Sequence, residues 1–298
     1  MTYNAWGLKI GPFSIAKDYQ KRIYSLPSEI YQINPDIIFL QEIWKKSDRC
    51  YLISELKKRG WHYSFYKSDL HPSIKKLPWL GQIFLGNGLL IISKYPIDLE
   101  KTVVHSFSTH TAREEIFTRK GALYCEINVT GIGKVGCINT HLGSIDFFQK
   151  KFQYSEKQKR SHQKQIYELT QFIKNQQQSI PLFIGADLNI SDHQNHLSWF
   201  PNPADEYIKF VTELNLTDSY RLLHPINQGT TYSNKNSYKK DSHGPEGRLD
   251  YLFHANIEKK LIPEFSEIIF NNPIKKNNED FYLSDHFGIL TQYKFKKE

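Results

Sequence analysis

What most constrains the fold of this chain is the recurrence of short apolar runs, rich in Ile, Val, Leu and Phe, at 36–40, 88–93, 121–129, 134–140, 181–186, 249–253 and 287–293. Runs of this length, bounded by turn residues, read as buried strands. Helical stretches alternate with them. The clearest is 156–175, where Ile166, Leu169, Phe172 and Ile173 form an apolar stripe at helical spacing while Lys157, Lys159, Gln163 and Lys164 face out. Others are 17–33, interrupted at Pro27, and 47–59, closed by Gly60 as a helix C-terminus should be. The runs 121–129 and 134–140 are split by Thr-Gly-Ile-Gly and read as a hairpin, which makes the sheets mixed rather than purely parallel. No repeat, linker or low-complexity stretch divides the sequence. The expectation is one α/β domain over 1–298, with a sheet core and helices outside.

At 298 residues the chain can bury a substantial core, and 39% hydrophobic with 23% charged residues is a globular composition. The net charge of +8 favours an anionic partner, whether a phosphodiester, a nucleic acid or an acidic membrane surface. The basic doublets Lys75-Lys76, Lys150-Lys151, Lys239-Lys240 and Lys275-Lys276 are dispersed, so a solvated surface accounts for most of them. Cys50, Cys125 and Cys137 form no disulfide framework and no C-x-x-C site, although Cys125 and Cys137 could pair in one hairpin register. No apolar run approaches the roughly 20 residues of a transmembrane helix. No charged-then-apolar leader opens the chain. The first strand nonetheless starts almost at residue 1, which leaves a removed leader, secretion and peripheral membrane attachment open.

Six polar signatures sit at or near the edges of the apolar runs: Asn4, Gln41-Glu42, Asn139-Thr-His141, Asp187-Leu-Asn189, Arg248-Leu-Asp250 and Ser284-Asp285-His286. In α/β proteins ligands meet the fold at strand ends, so these groups are expected to converge on one cleft. Side chains at i and i+2 of a strand share a face, so Asn139 with His141, Asp187 with Asn189, and Arg248 with Asp250 should each project together.

Each residue type suits a part of phosphoryl chemistry. Glu42 closes an apolar run, and a carboxylate so placed usually has a cation partner; Mg²⁺ suits it because this ion takes oxygen ligands and is held by one or two carboxylates plus substrate phosphate. Asn4 is a candidate for the same side of the cleft, with a turn cap as its structural alternative. Asp187 and Asn189 follow Gly185-Ala186, small residues that let a chain turn beside a ligand. They can position a water and donate to a phosphate oxygen, and an Asx-turn competes as the explanation. His286 and His141 are the groups suited to moving protons near neutral pH, with Asp285 or Asp250 available to orient an imidazole. Arg113, Arg119 and Lys120 could clamp a phosphate or form an exposed basic stretch.

As a set these residues resemble the endonuclease/exonuclease/phosphatase superfamily of magnesium-dependent phosphodiesterases, matched in order from Asn4 to His286. Within it the chain is most similar to neutral sphingomyelinases, through Asn4-Ala-Trp6-Gly7-Leu8, Gln41-Glu42-Ile43-Trp44, the 88–96 segment, Phe117-Thr-Arg-Lys120-Gly121-Ala122, Asn139-Thr-His141-Leu142 and the helix pattern Arg160-x-x-Gln163…Glu168-Leu169…Phe172-Ile173. The Trp-Gly and Lys-Gly elements are the discriminating ones.

The resemblance implies two packed mixed sheets flanked by helices, a four-layer, deoxyribonuclease-like sandwich. It implies that Glu42 with Asn4 binds Mg²⁺, Mn²⁺ being a substitute, and that Asp187 and Asn189 place the water and the phosphate. His286, oriented by Asp250 or Asp285, is then the general base, His141 stabilises or protonates the transition state, and Asn139 and Lys120 contact the phosphate. The implied reaction is hydrolysis of sphingomyelin, a phospholipid, at a membrane surface. A nuclease of the same fold is the rival, favoured by the net charge, and a non-catalytic interaction module is the alternative from another class. The segment 70–85 is apolar for a connection. Trp79, Leu80 and Phe84 beside Lys75-Lys76 would suit shallow insertion into a lipid interface, or ordinary packing under a sheet.

Overall fold

The computed structural model describes residues 1–10, 13–14, 16–67, 86–111, 115, 118–144, 156–177, 179–192, 203–240, 246–257, 261–276 and 279–296. In chain order its strands are β1 (Thr2–Asn4), β2 (Lys9–Ile10), β3 (Phe13–Ser14), β4 (Ile37–Gln41), β5 (Tyr63–Phe65), β6 (Leu90–Ser93), β7 (Ile97–Ser106), β8 (Gly121–Val129), β9 (Gly133–His141), β10 (Leu182–Asp187), β11 (Thr217–Asp218), β12 (Asp250–Ala255), β13 (Leu261–Ile269), β14 (Ile274–Lys276), β15 (Glu279–Phe281) and β16 (Gly288–Phe295). The helices are α1 (Tyr19–Ile33), α2 (Lys46–Lys57), α3 (Glu156–Gln176), α4 (Pro203–Glu213), α5 (Ser219–Leu223) and α6 (Ser237–Lys240).

Two six-stranded sheets carry the fold, in the orders β13-β16-β1-β4-β6-β5 and β11-β12-β10-β9-β8-β7. Each has one parallel pair at its centre, β1 with β4 and β9 with β10, and antiparallel neighbours on both sides. The expected mixed sheets and the hairpin of β8 and β9 are therefore present.

The period of two along each strand sorts side chains into three apolar layers. Phe39, Ile91 and Ile289 of one sheet meet Leu123, Cys125, Val135, Cys137 and Leu252 of the other between the sheets. On the outer face of the first sheet Tyr3, Ile38, Leu40, Leu90 and Ile92 pack against Ile23, Leu26 and Ile30 of α1 and Leu52 and Leu56 of α2. On the outer face of the second, Ile138, Ile184, Tyr251 and Phe253 pack against Leu169, Phe172 and Ile173 of α3 and Phe210 of α4. The result is the helix-sheet-sheet-helix sandwich expected from the family resemblance.

Local outcomes differ from expectation in instructive ways. Pro27 does not interrupt α1, because Ile23, Leu26 and Ile30 dock on the sheet on both sides of it and outweigh one missing backbone hydrogen bond. Cys125 and Cys137 do lie directly opposite one another, as buried free thiols in the inter-sheet core. Gly185 serves the packing of the sheets rather than a turn: a Cβ there would stand 2.4 Å from the Phe39 ring. Gly185→Ala should consequently destabilise the protein by about 1–3 kcal/mol, the usual cost of overpacking. A thermal unfolding curve that superimposes on that of the wild type would contradict this account of the inter-sheet contact. Among the described residues no helix is long and apolar enough to cross a membrane. Trp79, Leu80 and Phe84, together with Arg113, lie outside the described residues.

Candidate active site

The alternation that builds the inter-sheet core also builds the site. Stepping by two toward one end of the sandwich, Phe39 leads to Gln41, Cys137 to Asn139 and His141, Gly185 to Asp187, Leu252 to Asp250, and Thr2 to Asn4. The parallel strands β1, β4, β9 and β10 contribute their C-terminal residues, and antiparallel β12 contributes its first. Register fixes the set, with Asn4 opposite Gln41, and Asp187 opposite both His141 and Asp250.

The first polar layer is structural. Asn139 donates from Nδ2 to Leu40 O (2.9 Å) and Leu90 O (3.1 Å), and its Oδ1 accepts from Gln41 Nε2 at 2.7 Å. Its carboxamide is thus committed to joining the two sheets. This differs from the phosphate contact expected of Asn139, because both amide hydrogens already have carbonyl partners across the inter-sheet gap.

Asp187 is the hub of the next layer. Its Oδ2 accepts from Asn4 Nδ2 (2.8 Å) and lies 3.3 Å from His141 Nε2 and 4.0 Å from His286 Nδ1. Its Oδ1 accepts from the Asn189 amide at 3.0 Å. Asn189 is off the strand, at a left-handed φ of 51°, so the pair arises from an Asx-type turn and not from strand alternation. The turn aims the Asn189 carboxamide at Leu142 O, to which it donates at 3.0 Å.

Glu42 also depends on a left-handed residue. By parity with Gln41 it would face the helices, but its own φ of 59° turns it off β4. Asn4 Nδ2 then reaches Glu42 Oε1 (3.2 Å) and Trp44 Nε1 reaches Oε2 (3.4 Å). Gly7 belongs to the same device: its N–H donates to Glu42 O, and a Cβ on it would stand 2.3 Å from that oxygen. This accounts physically for the Trp-Gly element after Asn4.

His286 Nδ1 is 2.8 Å from Asp250 Oδ2, so Asp250 and not Asp285 orients the imidazole, while Asp285 accepts from Ser284 Oγ. Asp250 is held in turn by Thr231, whose Oγ1 accepts from its backbone N–H at 3.2 Å, and Tyr232 lays its ring 4.9 Å from that of His286. Neither Thr231 nor Tyr232 is visible in the sequence as a site residue, because they lie in an irregular segment with no period. Arg248 diverges from Asp250: it is buried between Asp192 and Asp218, its guanidinium donating to Asp218 Oδ1 at 2.9 Å. It braces the loop after Asp187 from behind. Lys120 is likewise enclosed, 3.0 Å from Glu115, 3.0 Å from His141 Nε2 and 2.9 Å from Leu142 O.

Electrostatically the cleft holds more negative than positive charge. Burial, with Asp250 alongside, pushes Asp187 up to about 7, and burial, with Glu42 alongside, pushes Asp285 up to about 6. For His286, burial opposes the charged form, but Asp250 and Asp187 more than offset it and the pKa rises to about 10. Burial, then Lys120 and His286, drive His141 well below the ordinary imidazole range, so it is neutral. With Lys120 donating to Nε2, the proton sits on Nδ1, which is buried and has no hydrogen-bond partner among the described residues.

Carboxylates that resist ionisation because of one another and of burial fit a bound cation. The oxygen-rich donor set suits Mg²⁺ rather than zinc. Ligand atoms of Asp187, Asp250 and His286 lie within 4.8 Å of one another and could also bracket an ion. An ion there would displace the His286–Asp250 hydrogen bond.

A family model described as "Endonuclease/Exonuclease/phosphatase family" matches residues 1–286. The chain belongs to the endonuclease/exonuclease/phosphatase family. Members of this family hydrolyse phosphoric esters. The putative neutral sphingomyelinase of Drosophila melanogaster is 25% identical over 318 residues, covering 100% of this chain and 60% of the relative, so the chain spans little more than half of that protein. Among solved structures, beta toxin from Staphylococcus aureus superposes with a TM-score of 0.73 at 21% identity, over 98% of both chains. A mutant of that toxin, similar at a TM-score of 0.69 and 20% identity over 97% of both chains, contains bound magnesium ions. D. rerio TDP2 with a single-strand DNA product aligns at a TM-score of 0.66 and 18% identity, over 98% of this chain and 97% of that one. These structural likenesses place the family's fold on this chain.

Proposed function

We propose that this endonuclease/exonuclease/phosphatase family member is a Mg²⁺-dependent phosphodiesterase that hydrolyses sphingomyelin to ceramide and phosphocholine. The observation that carries the reading is the meeting, on Asp187, of an amide-gripped carboxylate on one side (Asn4 and Glu42) and an aspartate-oriented histidine on the other (Asp250 and His286). The likeness to the Drosophila putative neutral sphingomyelinase and the Trp-Gly and Lys-Gly elements support lipid over nucleic acid as substrate.

In this reading Glu42 holds the ion. Asn4 sets Glu42 and Asp187 through its two amide hydrogens, and its Oδ1, which accepts from Trp6 N at 2.9 Å, keeps a second lone pair for the ion. When bound, Mg²⁺ neutralises phosphate charge and stabilises the leaving oxygen. Asp187 and Asn189 place the attacking water. His286, locked by Asp250 through Nδ1, uses Nε2 to take its proton; a cation bound beside Asp187 would offset the negative charge that raises the imidazole's pKa and so favour its neutral, proton-accepting form. Neutral His141, with Nε2 3.3 Å from Asp187 Oδ2, stands beside the reacting group and stabilises the charge of the transition state. Lys120 acts through His141 rather than on the phosphate.

The raised carboxylates predict a pH dependence of metal binding. A proton on Asp187 or Asp285 competes with the cation, so Mg²⁺ affinity should climb as pH rises through about 6 to about 7, with proton release. The Mg²⁺-induced rise in melting temperature, measured without substrate, should therefore be larger at pH 7.5 than at pH 5.5, by about tenfold in apparent affinity. An effect of equal size at both pH values would remove these carboxylates from the metal's surroundings.

The DNA-bound TDP2 neighbour and the positive charge keep the nuclease as the rival. Initial rates on sphingomyelin vesicles, phosphatidylcholine vesicles, plasmid DNA and an abasic duplex, with and without Mg²⁺, discriminate between the two. Sphingomyelin should be cleaved at least about a hundredfold faster than either DNA, a gap of about 2.7 kcal/mol. DNA cleavage that is faster, with an affinity falling steeply in salt, would establish the rival.

A further inference from the structure

Arg22 is fully buried on α1, within the apolar stripe of Tyr19, Ile23, Leu26 and Ile30. Buried arginines ordinarily face a carboxylate. This one donates instead to four backbone carbonyls: Nε to Lys17 O (2.8 Å), Nη1 to Ala5 O (2.9 Å) and Leu283 O (3.0 Å), and Nη2 to Trp6 O (2.8 Å). The rings of Trp6 and Tyr238 cover the guanidinium, with Cζ 4.7 and 5.6 Å from their centroids, and Tyr238 is fixed by its hydroxyl on Asp18 Oδ2 at 2.6 Å.

The carbonyls involved are informative. Ala5 and Trp6 directly follow Asn4, and Leu283 directly precedes Ser284-Asp285-His286. The β1–β16 ladder pairs Thr2 with Ile289, short of both segments. Where the sheet stops holding them together, the guanidinium begins.

We infer that Arg22 is a positioning residue that clamps the metal side of the site, Asn4 with Glu42, to the base side, Asp285 with His286. The inference rests on the roles proposed above for those residues. A planar fork reaches carbonyls in several directions at once, and an ammonium on a flexible stem does not. Charge alone is therefore insufficient at this position.

Arg22→Lys keeps the charge and removes the fork. In the full chain it should lower kcat on a soluble chromogenic phosphocholine ester by about tenfold or more with KM within about threefold, since the defect is in alignment. The Mg²⁺ concentration for half activation should rise by about tenfold, the usual effect of losing a residue behind a metal ligand. Amides of residues 5–7 and 284–287 should exchange hydrogen faster while those of β4 and β10 keep wild-type protection. Tyr238→Leu, which strips a ring from the guanidinium and leaves its hydrogen bonds, should move each quantity in the same direction by less, and it carries the test if Arg22→Lys does not fold. A fall in melting temperature with kcat, Mg²⁺ requirement and local exchange all unchanged would overturn the clamp. Glu42→Gln separates the two readings: if that variant responds to Mg²⁺ like the wild type, the metal-side assignment is the one that fails. The clamp then stands if exchange rises in both segments of Arg22→Lys and falls if it does not.

Discussion

Replacing His286 with alanine should lower turnover by a factor on the order of 10²–10⁴, the usual worth of a positioned acid–base group. The imidazole is the only protonic partner of Asp250 Oδ2 among the hydrogen bonds of the described residues, and Asp250 Oδ1 has none. Alanine would therefore also leave a buried carboxylate unsatisfied. His286→Asn separates the two effects, because its amide can still donate toward Asp250 from near the Nδ1 position while nothing replaces Nε2. Turnover should stay as low as in the alanine variant while the melting temperature recovers. A His286→Asn enzyme with near wild-type turnover would move proton transfer to another group.

The second large effect is expected at Glu42. Removing divalent metal with a chelator should abolish activity, and Mg²⁺ or Mn²⁺ should restore it. Glu42→Gln should cost on the order of 10²–10³ in turnover at fixed Mg²⁺, equivalent to the several kcal/mol that a Lewis acid supplies to a phosphoryl transition state. The substitution preserves shape beside Asn4 and Trp44, removes the charge and replaces one of the two oxygens to which they donate with an amide nitrogen. Full activity in chelator, or a Glu42→Gln variant with the wild-type Mg²⁺ requirement, would contradict the assignment.

The sequence was most legible where one period governs. Strands β4, β6, β8, β9, β10, β12 and β16 lie in the centre of the sheets or next to it, so apolar side chains dominate them and they stand out as runs. Edge strands β7 and β13 escaped that reading. They carry charged residues, Pro263 and register shifts at Asp98/Thr102 and Pro263/Phe265, which are the devices that protect an open edge and also hide the strand.

Within the site, the residues at strand ends could be found because polarity at the end of an apolar run is anomalous. Their orientations could not all be found, since period-two reasoning holds only while the backbone is extended. It placed Asn139 with His141 on one face of β9. It failed for Asn189 with Asp187, because Asn189 has a positive φ, and for Arg248 with Asp250, because Arg248 precedes β12, while Glu42 reaches the cleft through a positive φ that no strand period describes. At Asn189 the residue type itself offers the Asx-turn, whereas at Glu42 the positive φ depends on tertiary contacts and leaves no local mark. Arg22 did leave one, as a cation inside the apolar stripe of α1, whereas Thr231 and Tyr232 belong to a segment whose shape comes from its neighbours.

The central claim is that this site directs water at the phosphorus of sphingomyelin with Mg²⁺ in place. Hydrolysis of sphingomyelin vesicles in isotopically labelled water, followed by mass spectrometry of both products with Mg²⁺ and with chelator, tests it directly. The account predicts one labelled oxygen in phosphocholine, none in ceramide, and no product in chelator. Label in the ceramide hydroxyl, product formed in chelator, or no cleavage of sphingomyelin with Mg²⁺ present would contradict it.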